Sequence, residues 1–138
     1  MRIVARKRDT VAINEGQWVG EIPKMGSVRL KVRGRETPLF QAAFDKHLRA
    51  VPTEMRDRVG VPTGPARVHA MGLACHETVL LDWDGIEDEK GKPVKYRRDL
   101  ALEWMTNPDF EHFLEAVLFA AVVVDTSNTR AAEALEKN

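Results

Sequence analysis

Four histidines, one cysteine and an acidic run are the side chains of this sequence best suited to chemistry. The histidines are His47, His69, His76 and His112, and none falls in a His-Glu-x-x-His pattern. His69 and His76 stand two helical turns apart, roughly 10 Å along a helix axis, too far to share one zinc ion. Cys75 and His76 are adjacent, and adjacent helical residues point apart, so a Cys–His nucleophile pair needs a different histidine brought in by the fold. A buried structural Cys75 is the simpler reading. The run from Asp82 to Glu89 invites a calcium loop. An EF-hand requires glycine at its sixth position and glutamate at its twelfth. Counted from Asp82, Gly85 is fourth and Pro93 twelfth, so the match fails and a solvated acidic turn remains. Glu111 and Glu115 share a helix face, a spacing commoner on a solvated surface than in an acid/base pair. Neither a Gly-rich phosphate loop nor Gly-x-Ser-x-Gly occurs. The sequence therefore predicts no catalytic residue, no cofactor, no metal, and a protein that is not an enzyme.

Two stretches point to binding instead. Val28, Leu30 and Val32 alternate with Arg29, Lys31 and Arg33, and Arg35 extends the row. Period-two alternation predicts a half-buried strand with a basic outer face, Arg29, Lys31, Arg33 and Arg35. Such a row can track phosphates. No aromatic residue interleaves it, however, and the 21 Lys/Arg are balanced by 21 Asp/Glu. A charged edge that resists sheet aggregation explains the same row, and nucleic acid is not the preferred partner. The second stretch, Ala116 to Val124, is apolar at every position. One helical face carries Phe113, Leu114, Val117, Ala121 and Val124. At about 100° per residue, Phe119, Val122 and Val123 fall on other sides. A helix apolar all round is either sandwiched inside a fold or meets a partner, and both options stay open. Phe119, Val122 and Val123 are the candidate partner or oligomer contacts.

The elements that must position these residues read as follows. Gln17–Pro23 and the alternating stretch after Lys24-Met25-Gly26-Ser27 form a hairpin. Thr37-Pro38 opens a helix, with Thr as N-cap and Pro in the first turn, and Leu39, Phe40, Ala43, Phe44, His47, Leu48 and Val51 along it. Pro52 stops it. Thr63-Gly64-Pro65 opens a helix that carries Val68, Met71, Cys75 and Val79 and reaches about Leu81. Trp83 and Ile86 flank Asp84-Gly85 and anchor a connector over 82–96 on the core. A helix from about Arg97 to Thr106 buries Leu100, Trp104 and Met105. Asn107-Pro108-Asp109 leads into the last helix, and a polar helical tail with Ala131, Ala132 and Leu135 follows. The fold class is mostly α (α+β): an N-terminal β-hairpin region, 1–36, before four or five packed helices, 37–138, in a single domain. There is no internal repeat, and no apolar run reaches the roughly 18 residues of a membrane span. No apolar signal-peptide core follows the basic N-terminus, and the lone Cys75 fits a reducing cytoplasm. Charge is unevenly placed: residues 1–58 carry 13 Lys/Arg and 7 Asp/Glu, residues 59–138 carry 8 and 14. The halves can neutralise each other within one chain or meet between chains.

The order of features from residue 79 onward resembles the small tail assembly chaperones of long-tailed bacteriophages. These show an apolar helix, a Trp-x-Gly-Ile connector, an acidic Gly turn, a Pro-Val-x-Tyr step and an Asn-Pro step into a last helix. The matching residues are Trp83, Gly85, Ile86, Gly91, Pro93, Val94, Tyr96, Leu100, Asn107, Pro108, Phe110, Lys137 and Asn138. Glu133 and Glu136 depart from the basic tail of that family. The resemblance implies a homo-oligomer in the host cytoplasm, absent from the mature virion. It would bind the tape measure protein, keep it soluble and help recruit tail tube protein. Such chaperones are often made in two lengths by a ribosomal frameshift. Glu136-Lys137-Asn138 could be written by the slippery run A-AAA-AAC, which would give a longer form that engages the tail tube protein. The readings from other classes are a small phage structural or head–tail joining protein kept in the virion, and a basic-faced nucleic-acid-binding module.

Overall fold

The computed structural model describes residue 3 and the backbone of residues 10–137, with side-chain surroundings given for residue 3 and residues 13–126. Among the described residues the chain is α+β, with five α-helices and a three-stranded antiparallel sheet. A short helix, α1 (Thr10–Glu15), precedes the hairpin strands β1 (Gln17–Val19) and β2 (Arg29–Val32). Then come α2 (Pro38–Arg49), α3 (Gly64–Thr78), β3 (Leu80–Asp84), α4 (Arg98–Thr106) and α5 (Glu111–Lys137). Sheet order is β1-β2-β3, with Leu30 opposite both Val19 and Trp83. Val19, Leu30, Val32, Leu80 and Trp83 put their side chains into the core. α5 packs against β1, β2 and α1 on one side and against α4 and α3 on the other.

The start of α2 follows from its sequence. Pro38 supplies a helical φ, and Thr37 Oγ1 accepts a 3.1 Å hydrogen bond from the Phe40 N–H. Thr63 repeats the device at α3, accepting from the Ala66 N–H at 3.3 Å. The face of α3 differs from expectation. Most of its buried residues are small, Ala66, Ala70, Gly72, Ala74 and Cys75, with His76 and Thr78 buried near its end. Val68 is half exposed instead. Gly72 lies where a Cβ would meet the Met105 carbonyl oxygen at 2.1 Å, so α3 and α4 approach backbone to backbone. On α4 the fully buried residues are Ala101 and Met105, with Leu100 and Trp104 half-buried beside them.

The largest correction concerns residues 79–84. The helix expected to reach Leu81 ends at Thr78, and Leu80–Asp84 is a third strand. Between Lys31 and Val32 the register shifts: Lys31 pairs with Asp82 and Val32 with Leu80. Leu81 is therefore an extra residue, a bulge, and it lets Leu80 and Trp83 both face inward despite their odd spacing. Its side chain lies over Gly16, where a Cβ would stand 2.5 Å from the Leu81 Cδ1 and where φ is +93°. The same Val79–Trp83 segment mimics a helical apolar pattern because the bulge breaks strict alternation.

The connector over 82–96 is anchored as expected. Trp83 is 4% exposed. Its Nε1–H donates to the Val94 carbonyl at 2.7 Å. It stacks on Trp104 and meets Tyr96 and Phe113 edge-on, with centroids 5.0, 5.0 and 5.7 Å away. Trp104 in turn stacks on Phe110. The Trp, Tyr and Phe of the connector pattern thus form one aromatic cluster against α4 and α5.

A repeat escaped the sequence reading. Asp57-Arg58-Val59-Gly60-Val61-Pro62 and Asp88-Glu89-Lys90-Gly91-Lys92-Pro93 fold alike. In each, one Asp Oδ1 accepts two backbone N–H groups: Val59 and Val61 on Asp57, Lys90 and Lys92 on Asp88. The Asp N–H donates to the carbonyl of Val61 or Lys92, and the glycine N–H donates back to the Asp carbonyl. Gly60 and Gly91 take φ of +86° and +77°. An isolated bridge closes each turn, Arg56 to Pro62 and Glu87 to Pro93.

Candidate partner-binding surfaces

The histidines do not converge. His76 is buried, and its Nε2–H donates to the Arg98 carbonyl at 2.9 Å. His47 Nε2 lies 2.7 Å from Glu77 Oε1, while His69 and His112 are exposed. Among the described residues no cluster of His, Cys, Asp and Glu could hold a metal. The acidic run is consumed locally: Asp82 accepts from the Trp83 N–H, Asp84 pairs with Arg29 at 3.0 Å, and Asp88 caps its own turn. Burial pushes the Cys75 thiol up to about 12, only slightly countered by the Arg35 guanidinium. It therefore stays protonated and unreactive near neutral pH.

The four basic side chains, Arg29, Lys31, Arg33 and Arg35, do not form a row. Arg29 lies over the Trp18 ring, 5.2 Å from its centroid, and pairs with Asp84. Lys31 sits between Trp18 and Asp82 in the sheet register. Arg33 lies beyond the strand, and its Nε–H donates to the Asn14 carbonyl at 2.6 Å. Arg35 has its guanidinium over Phe40, and its backbone N–H donates to Asp125 Oδ2 at 2.9 Å. Gly34 makes this approach possible, since a Cβ there would fall 2.0 Å from Asp125 Oδ1. The outer sheet face therefore mixes Trp18, Arg29 and Lys31 with Asp82 and Asp84. Several pairs, Arg29 with Asp84 and Lys46 and His47 with Glu77, join the basic half of the chain to the acidic half.

On α5, Phe119 and Val122 are 40% and 54% exposed, whereas Val123 is half-buried against the core. The inward face, Phe113, Leu114, Val117, Ala121 and Val124, is buried as the spacing predicts, together with Ala116 and Ala120. The side chains of Ala131, Ala132, Leu135 and Lys137, and all of Asn138, lie outside the described residues, as does the basic stretch Arg6-Lys7-Arg8.

A broad concavity lies elsewhere among the described residues, and the sequence did not mark it. It is an open groove of about 770 Å³ between the end of α2, the first half of α3 and the α4–α5 junction. Val51, Pro52 and Met55 form one wall, Pro65, Val68 and Leu73 another, and Met105, Pro108 and Leu114 the third. His47, His69, Asn107 and Glu111 supply polar groups on it. Arg56 builds the first wall. Its guanidinium donates to the carbonyls of Leu48 at 2.6 Å, Val51 at 3.0 Å and Gly60 at 2.8 Å, closing the end of α2 and fixing the loop after it. Burial works against the Glu77 carboxylate, but hydrogen bonds from His47 and Lys46 outweigh it and hold its pKa below 4.5. That pair keeps the His47 ring at the groove edge. Val51 and Val68 were expected within buried helical stripes. They are instead the apolar residues left over once small side chains let α3 sink between its neighbours.

A family model described as YdaY prophage protein matches residues 35–138. The chain belongs to this family. The match takes in α2 to α5, hence every wall of the groove and the whole aromatic cluster. The protein is thus phage-related, in keeping with the phage kinship that the connector pattern implied. No curated protein and no solved structure matches the chain. Among the described residues no helix is long and apolar enough to cross a membrane.

Proposed function

We propose that this YdaY-family protein is a non-enzymatic phage tail assembly chaperone that acts in the host cytoplasm and is left out of the finished virion. The supporting observation is the open apolar groove, about 770 Å³, on a protein of a prophage family. Grooves of this kind receive the apolar stripe of an amphipathic helix, with anchors at i, i+3, i+4 and i+7. A tape measure protein is a long helical chain whose apolar stripe aggregates unless covered. Seating successive segments of that stripe in the grooves of successive chaperones keeps it soluble. In this reading a longer frameshifted form brings the tail tube protein to the coated client. Reading the codons of Glu136-Lys137-Asn138 tests that part, since a broken A-run with no open frame one base back removes it.

Co-expression with the tape measure protein of the same phage tests the central claim. The wild-type chain should hold that protein in the soluble fraction and co-purify with it. Val68→Asp places a charge in the groove at a half-exposed position, so the fold persists while the client is lost. A soluble client with Val68→Asp at wild-type level refutes the groove as client site. Recovery of the protein in purified virions favours the particle-resident structural or head–tail joining role. DNA binding that falls steeply with salt favours a nucleic-acid module, a reading that the paired Arg29 and inward-turned Arg33 and Arg35 do not support.

A further inference from the structure

A smaller open pocket of about 440 Å³ shares no lining residue with the groove. It is lined by Leu48, Arg49, Arg56, Pro62 and Arg67, so its charged side chains are arginines alone. Two of them are held in place. Arg56 is fixed by its bonds to the carbonyls of Leu48, Val51 and Gly60. The Arg67 guanidinium lies over the Phe44 ring, 5.4 Å from its centroid, and that ring is buried. Arg49 stands exposed in the last turn of α2. Its neighbours Lys46 and His47 are spent on Glu77. Among the described residues neither Arg49 nor Arg67 meets a carboxylate. Glu54 and Asp57 lie between them in sequence without pairing to either, and Asp57 turns a carboxylate oxygen onto its own loop.

We propose that this pocket docks an acidic segment of a protein partner, two neighbouring carboxylates flanked by apolar residues. The planar guanidinium fork matches a carboxylate with two parallel hydrogen bonds. The charge count sets the class of ligand. Arg56 sits against the last carbonyls of α2, the negative end of the helix dipole, and its charge is offset there. Arg49 and Arg67 remain, and two carboxylates balance them. A nucleic-acid backbone calls for a longer series of cations, and the lining holds no others. Leu48 and Pro62, half-buried, give the apolar neighbours a floor. Because Arg56 and Arg67 are already ordered, binding loses less side-chain freedom than it would on mobile arginines.

The proposal stands apart from the groove, and its test uses the full chain. The probe is a fluorescein-labelled peptide carrying Leu-Glu-Glu-Leu, beside its Leu-Gln-Gln-Leu counterpart. Anisotropy is followed at about 20 mM salt, where screening is weak. The Glu peptide should bind, and the Gln peptide about ten-fold more weakly. Arg49→Gln and Arg67→Gln should each weaken the Glu peptide about three-fold, the scale of one exposed ion pair, and together about ten-fold. Both side chains are exposed, so the circular dichroism spectrum should not change. Lys24→Gln with Lys95→Gln removes the same charge elsewhere and should leave binding as it was. Arg49→Lys with Arg67→Lys keeps the charge and loses the fork, so its affinity should fall between wild type and the double Gln variant. A Glu peptide that does not bind, a Gln peptide that binds equally, or an equal loss in the Lys24→Gln, Lys95→Gln chain overturns the proposal. Tighter binding of a single-stranded oligonucleotide or of inorganic phosphate, lost with the same two arginines, overturns it in favour of a phosphate site. Val68→Asp, which blocks the groove, should leave peptide binding intact, so failure of the groove as client site and failure of this pocket are read separately.

Discussion

Trp83 ties three elements together through one side chain. Its ring is buried among Trp104, Tyr96 and Phe113, and its N–H holds the Val94 carbonyl. Trp83→Ala should cost about 3–5 kcal/mol in urea unfolding, the usual scale for deleting a large buried aromatic. Trp83→Phe keeps much of the packing but orphans the Val94 carbonyl, so it should fall between the two. This residue was legible in the sequence because an apolar run ending in Trp-x-Gly leaves the ring no exit but the core. Cys75 was equally legible as inert. Thiol reagents at neutral pH should label it only in denaturant, because burial lifts its pKa to about 12 and closes off access. Glu77 answers to pH in the opposite sense. Its folded pKa lies below its ordinary 4.5, so it stabilises the fold at and above that pH and loses the contribution as pH falls through the lower, folded value. The stability gap between wild type and Glu77→Gln, followed by denaturant titration, should shrink as pH falls below 4.5.

At the scale of elements, small residues decide how closely helices approach. Gly72 puts α3 against the Met105 carbonyl with no room for a methyl group. Gly72→Ala should therefore push α3 from α4 and lower stability by about 1–3 kcal/mol despite the better helix propensity of alanine. Thermal melts of that variant beside Gly64→Ala, where a Cβ meets nothing, measure the difference. The starts of α2 and α3 were legible because Thr-Pro and Thr-Gly-Pro act locally, through the next few N–H groups. The end of α3 was not, because the bulge at Leu81 is set by pairing with β2, a partner some fifty residues away in the chain. Periodicity sees one segment at a time, and a bulged strand with two inward apolar residues three apart looks like a helix turn. The groove was hidden for a related reason. Val51, Met55 and Val68 each look like core residues in their own segments, and only the packing of three elements leaves them lining open space.

Over the whole molecule, the two oppositely charged halves meet inside one chain at Arg29–Asp84 and Lys46–Glu77. These pairs are largely exposed and contribute little each. Pairing within one chain takes these side chains out of contacts between chains. Moving from low salt to 0.15 M, where screening acts over about 8 Å, should change self-association by less than the substitution Val122→Glu does. A salt series in the ultracentrifuge checks this.

The paired turns at Asp57–Pro62 and Asp88–Pro93 carry a consequence for how the chain could be rewritten. Each completes its hydrogen bonding from its own six residues, with one carboxylate serving two amides and glycine taking the bend. Neither borrows a side chain from the rest of the fold to set its shape, although Arg56 borrows the Gly60 carbonyl from one of them. They are therefore interchangeable parts. Transposing Arg58-Val59 with Glu89-Lys90 changes what each tip shows to solvent and leaves the path of the backbone as it was. One joins helix to helix and the other strand to helix, so the same short phrase is used as punctuation, indifferent to the clauses on either side.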